Sequence, residues 1–223
     1  MLKRHPTLFA ATLLLLAGCT RTEPFPAVAT ADSLAAVQDN IAHREAMDRF
    51  FRQDSASPFR RDTTVSYTGL HWYPVDPRFR LEARLERYAA PETVTVMGTR
   101  GEERRHLRYG YFALTLPDSA GNAHSVRLNV YKFTPYDATR YALFRDHLSV
   151  WFTDETTGGE TYAVGRYIDI GAEQPDPEHR YLIDFNKAYN PYCAYSALYS
   201  CAIPREEDHL DLPVRAGELR YHE

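Results

Sequence analysis

Between Phe79 and Glu86 the chain reads Phe-Arg-Leu-Glu-Ala-Arg-Leu-Glu, apolar and charged in unbroken alternation. A period of two gathers every apolar side chain on one face of an extended strand, whereas a helix would scatter them. The strand predicted here is half-buried, with its Arg and Glu side chains on a solvated face. Related patterns recur over Glu92–Met97, over Leu107–Leu116 with a bend at Gly110, and over Val126–Phe133. Further strands are predicted at Leu148–Phe152, Thr161–Ile170 and Tyr181–Phe185, in a chain whose period changes to two from Thr64 onward. About eight strands separated by turn residues predict a mainly β fold, an antiparallel barrel or sandwich. Sixteen tyrosines and fourteen prolines suit a sheet-rich chain better than a helical bundle. One helix is expected, from a cap at Asp32 or Ser33 to about Arg52. Leu34, Val37, Ile41, Phe50 and Phe51 lie near one of its faces, Ser57-Pro58 ends it, and it packs on the sheet. With no repeat and no second boundary, residues 31–223 are read as a single β-rich domain.

The amino terminus has a different logic. Lys3 and Arg4 precede an apolar run from Leu8 to Ala17 that is too short to span a bilayer, and small residues follow. Residues 1–18 are therefore expected to be a secretory signal peptide. Leu16-Ala17-Gly18-Cys19 looks like a bacterial lipobox, which implies cleavage before Cys19 and lipidation of its thiol. Residues 19–30, with Pro24 and Pro26, read as a flexible tether. The expected location is the cell envelope outside the cytoplasm, with the membrane as partner through lipid on Cys19. Without residues 1–18 the 26 Lys and Arg fall to 24 against 30 Asp and Glu, a net charge of −6. That balance argues against a nucleic-acid partner. Cys193 and Cys201, eight positions apart, are predicted to form a disulfide in an oxidising compartment, the alternative being a free, reactive Cys193.

Polar residues crowd the stretch from Phe152 to Cys201. It includes Asp154, Thr156, Gly158, Glu160-Thr161-Tyr162, Gly165-Arg166-Tyr167, and the run Asp184-Phe185-Asn186 through Ala188-Tyr189-Asn190-Pro191 to Cys193-Ala194-Tyr195. With Cys201, Pro204, Ala216-Gly217-Glu218 and, upstream, Gly69-Leu70 and Pro74-Val75-Asp76, these blocks resemble the bacterial and archaeal domain of unknown function 1684. The resemblance covers roughly residues 40–223. Two departures are visible, Ala202-Ile203 in place of a proline-rich stretch and His209 where asparagine is common. The resemblance implies no activity.

The residues must carry the reading themselves. Asp154 to Gly159 is first a turn, and alternatively an oxygen-rich cation loop using Asp154, Glu155 and Glu160, though without the ligand spacing of a known calcium loop. Arg166 and Asp184 are placed on neighbouring strands and expected to touch directly or through one shared partner. They either tie the strands together or form an anion clamp with an orienting carboxylate. Asn186, Tyr189 and Asn190 can bind a ligand or brace a long loop. The candidate ligand-binding set is Asp154, Thr156, Tyr162, Arg166, Asp184, Asn186, Tyr189 and Asn190, with no metal and no cofactor expected. No nucleophile elbow, Walker or dinucleotide signature occurs. The expectation is a ligand-binding or structural envelope lipoprotein, with a small anionic ligand as possible partner. The alternative is a hydrolase with Asp184 as base and Arg166 as anion holder.

Overall fold

The computed structural model describes residues 24–26 and 30–222. The predicted signal peptide and Cys19, with most of the predicted tether, lie outside the described residues; Pro24 and Phe25 rest on the turn at Gly121–Asn122.

The fold is mainly β. Strands β1 (Arg80–Met97), β2 (Glu103–Pro117), β3 (Ala123–Phe133), β4 (His147–Asp154), β5 (Arg166–Ala172) and β6 (Arg180–Asp184) pair antiparallel in the order β5-β4-β3-β2-β1-β6. The sheet curls until β5 and β6 approach each other, giving a nearly closed barrel. A two-residue β7 (His209–Leu210) adds to β4 in parallel, so seven strands form where about eight were predicted. Two predicted strands, 79–86 and 92–97, are halves of one. β1 runs through Ala89-Ala90-Pro91, and the break appears only as a register shift against β2 between Arg87 and Glu92. The bend predicted at Gly110 is the second shift, between Arg108 and Gly110. A Cβ there would collide with the Glu86 carbonyl, so glycine is required for the strands to approach.

Alternation sorts the side chains onto two faces. Phe112, Leu114, Leu128, Val130, Val150, Phe152, Ile168 and Ile183 fill the barrel, where Leu212, Val214 and Ala216 of the carboxyl-terminal segment join them. The outer face of the same strands carries a second cluster of Val94, Val96, Tyr131 and Trp151, covered by Ala202. Strands packed on both faces explain why Leu148–Phe152 reads as a run and not as a clean alternation.

The helix α1 spans Thr30–Gln53 and is followed by one turn, α2 (Pro58–Arg61). Its predicted apolar face is buried only in part: Phe51 is buried and Val37 and Phe50 are half-buried, but Leu34 and Ile41 are exposed. Ala36 and Asn40 are buried in their place, with His43 and Met47 half-buried further along. A polar residue, Asn40, lies at the centre of the docked stripe because it has a charged partner in the barrel, described below. A third helix, α3 (Ala138–Phe144), capped by the Asp137 side chain on Arg140 N–H, was not anticipated. None of the described helices is long and apolar enough to cross a membrane.

Candidate functional site

The eight candidate residues separate into several places. Asp154, Thr156 and Arg166 form one closed network. The Arg166 guanidinium, 1% exposed, pairs with Asp154 at 2.8 Å and donates to the carbonyls of Val214, at 2.8 Å, and Ala216. The other Asp154 oxygen accepts from the Thr156 amide at 2.7 Å and its hydroxyl at 2.6 Å, and Thr156 meets Thr161 at 3.0 Å. These groups satisfy one another and none reaches a cleft. The three carboxylates of the cation-loop reading do not converge: Asp154 is spent here, Glu155 is exposed, and Glu160 holds Tyr73 and Arg215.

Asp184 and Asn186 belong to a second network. Asp184 accepts from Asn40 of α1 at 3.0 Å, from Arg80 at 3.1 Å, and from the Asn186 amide and side chain at 3.0 and 2.9 Å. Asn186 also exchanges hydrogen bonds with the Asp76 backbone. The expected contact between Arg166 and Asp184 does not form, and they share no partner. The reason is the alternation of faces: Arg166 points into the barrel with Ile168, whereas Asp184, next to the interior Ile183, points outward to Asn40 of α1. Without exposed donors, Arg166 cannot act as an anion holder.

Asn190 enters a third network around Glu218, and Tyr162 donates to the Cys193 carbonyl at 3.3 Å. The predicted Cys193–Cys201 bond is not formed; both are free thiols. They are adjacent, with the Cys193 N–H on the Cys201 sulfur at 3.3 Å and the Tyr162 hydroxyl 3.7 Å from the Cys193 sulfur. The Cys201 thiol donating to Cys193 lowers the Cys193 pKa.

Of the eight, Asp184 and Tyr189 line an open cleft between the outer face of the barrel and the segment 188–203 that covers it. The larger chamber, about 640 Å³, is walled by His43 and Met47 of α1, Asp184 of β6, and Tyr189, Tyr192 and Tyr199 of the covering segment. Burial holds the His43 imidazole below its usual pKa. A smaller chamber, about 290 Å³, adjoins it at Tyr167 and Tyr189 and is lined by Ser149, Trp151, His106 and Arg140. Tyr167, Tyr189, Ser200 and Cys201 belong to both walls. An aromatic row crosses the floor: Tyr131 stacks on Trp151 at 4.7 Å, Trp151 lies 5.9 Å from Tyr167, and Tyr167 lies 5.9 Å from Tyr189.

His106, Trp151 and Tyr199 escaped the sequence reading. They come together only through pairing of β2, β3, β4 and β5, and through the covering loop. The one available signal was Trp151 on the polar side of a short strand.

The family described as "Protein of unknown function (DUF1684)" matches residues 65–219. The solution NMR structure of an uncharacterized protein of Haloarcula marismortui is similar. It is 29% identical, over 86% of this chain and 97% of that one, with a TM-score of 0.56. None of the curated proteins matches.

Proposed function

The chain belongs to the family of proteins of unknown function DUF1684, and we propose that it is an exported, membrane-anchored binding protein that holds a small molecule in the tyrosine-lined cleft. The observation that carries this reading is the larger chamber. Its volume of about 640 Å³ lies in the range of small-molecule sites, and aromatic faces dominate a wall that also carries Asp184 and Lys187. The other conspicuous polar groups are engaged with one another, and among the residues lining the larger chamber no serine, threonine or cysteine is hydrogen-bonded to a histidine, so binding is favoured over hydrolysis.

The anchor is proposed from the lipobox-like Leu16–Cys19. Cys19→Ser is expected to release the protein from the membrane fraction. Intact-mass analysis showing a mature terminus elsewhere, without acyl chains, counts against it. In the same compartment Cys193 and Cys201 are proposed to close a disulfide. Two thiols would yield two electrons and two protons to a protein disulfide donor, which becomes a dithiol. Thiol counting before and after reduction tests this.

For the cleft, protein extracted from its own membranes is denatured and the released small molecules are weighed by mass spectrometry. Met47→Trp, which fills the larger chamber from α1, is expected to lose what the wild type releases. Release of nothing from the wild type, with Met47→Trp merely stabilising the fold, would show a packing void and no site.

A further inference from the structure

We propose that the smaller chamber is the head-group subsite of this cleft, and that it takes an organic acid bearing a hydroxyl or N–H beside its carboxylate. The inference rests on the cleft being a binding site and adds which end of the ligand lies where.

Two atoms carry it. His106 and Trp151 are each 3% exposed, and both line the smaller chamber. Neither His106 Nδ1 nor Trp151 Nε1 has a hydrogen-bond partner among the described residues. Their rings lie 5.1 Å apart, edge to face at 81°. A buried polar atom left unpaired is costly, and native interiors seldom leave one. The other buried atoms without partners belong to Asn40, Arg44, Arg108 and Asn190, whose side chains each make another hydrogen bond. Trp151 makes none. Stacking on Tyr131 accounts for its ring, and phenylalanine would stack as well, but stacking gives no account of the indole N–H.

The chemistry of the head group follows from the two atoms and their surroundings. The indole N–H only donates. Burial, reinforced by the charges of Arg104 and Arg140, pushes the His106 pKa down to about 4, so its ring is neutral at pH 7. In the tautomer with its proton on Nε2, the unpartnered Nδ1 is an acceptor. The chamber therefore presents one donor and one acceptor side by side. Its basic side chains are Arg104, Arg140, His106 and His147, beside the hydroxyls of Tyr167 and Tyr189 and the Cys201 thiol, with no carboxylate among the lining residues. Arg104 is engaged by Glu102 and the Ser200 carbonyl, Arg140 by Asp137, and His147 lies 3.9 Å from Asp169, so the two guanidiniums reach the chamber as ion-paired donors. A carboxylate oxygen accepts from Trp151, its neighbouring hydroxyl donates to His106, and an apolar body extends past Tyr167 and Tyr189 into the larger chamber.

The test uses the soluble mature chain and three probes: 3-phenyllactate, 3-phenylpropanoate, which lacks the hydroxyl, and methyl 3-phenyllactate, which lacks the charge. The chain has two tryptophans, so a ¹H–¹⁵N spectrum contains two indole signals, and Trp72→Phe assigns the other to Trp151 without touching the chamber. The Trp151 signal is expected to move on titration with 3-phenyllactate while that of Trp72 stays. Each of the other probes is expected to bind roughly tenfold or more weakly, as loss of a hydrogen bond to a charged or buried partner implies. Arg140→Gln, at an exposed side chain, is expected to weaken the two acids and spare the ester. Binding seen by calorimetry with an unmoved Trp151 signal, or equal affinity for all three probes, overturns the subsite and leaves the cleft standing. No heat and no shift at millimolar probe also overturns it, while the released-ligand experiment decides the cleft separately.

Discussion

Glu218 is 1% exposed, and its carboxyl accepts from the Tyr195 hydroxyl at 2.6 and 2.8 Å and from the Asn190 amide at 2.9 Å. Burial outweighs these donors and raises its pKa from 4.5 to about 7. With the folded value above the unfolded one, its contribution to stability is fully present below about pH 4.5 and is lost as pH rises through about 7. The difference between the limits is on the order of 3 kcal/mol. Glu218→Gln cannot titrate, so the stability of wild type relative to this variant is expected to decline between these limits. Denaturant melts across the range measure it, and a flat difference counts against a buried protonated Glu218. Arg166 poses the opposite problem, a cation whose partners are all internal. Arg166→Ala strands the buried Asp154 carboxylate and frees two carbonyls, so a loss of roughly 3–5 kcal/mol is expected, seen as a melting temperature lower by about 10 °C or more. A drop of only a degree or two would mean that Asp154 is hydrated. Sequence could flag both residues as unusual. It could not say that Arg166 faces Asp154 and the carboxyl-terminal carbonyls, because those partners meet only in three dimensions.

At the scale of elements, α1 docks on the barrel through polar contacts as well as apolar ones. Asn40 donates to Asp184, Arg80 bridges Asp184 and Asp39 at 3.1 and 2.5 Å, and Lys187 meets Asp39 at 2.8 Å. Asn40 is fully buried, so Asn40→Ala removes one donor from a buried carboxylate and is expected to cost about 1–3 kcal/mol. Hydrogen exchange is the sharper readout. Amides of α1 are expected to lose protection before those of β2 and β3, and uniform loss would make the contact incidental. The strands were largely legible because a half-buried strand must alternate, as Phe79–Glu86 and Val126–Phe133 do. What misled was local. Ala89-Ala90-Pro91 signals a break that the β1–β2 register shift absorbs, and the strand predicted from Thr161 begins only at Arg166, after a turn through Gly165 at φ +102°. The docking face of α1 was legible at its carboxyl-terminal end, at Phe50 and Phe51, and missed near Asn40, because apolar periodicity cannot anticipate an asparagine buried against a carboxylate.

For the whole molecule, the decisive element has almost no secondary structure. After β7 the chain runs through Leu212, Val214 and Ala216 into the barrel core, and Arg166 grips the last two by their carbonyls. Gly217 then passes under Phe185 and Ala188 at φ +87°, where a Cβ would lie 2.6 and 2.7 Å from their carbonyl oxygens. Glu218 N–H donates to the Ala188 carbonyl, while the Gly217 carbonyl and Leu219 N–H bond to Tyr73 and His71. One short segment thus joins the barrel interior, the end of β6, the wall of the cleft and the segment 71–73 before β1. These contacts join distant parts of the chain, so their closure entropy is repaid only when the whole fold assembles. Removing residues 213–223 exposes the core beside Ile183 and Phe185 and leaves the Arg166–Asp154 pair without its backbone acceptors. Those losses together approach the roughly 5–15 kcal/mol by which domains are stable. The truncated chain is therefore expected not to fold, giving collapsed amide dispersion and no cooperative melt. A truncated protein that melted cooperatively within a few degrees of the full chain would show that the barrel closes without the tail, and that Arg166 is held by Asp154 alone.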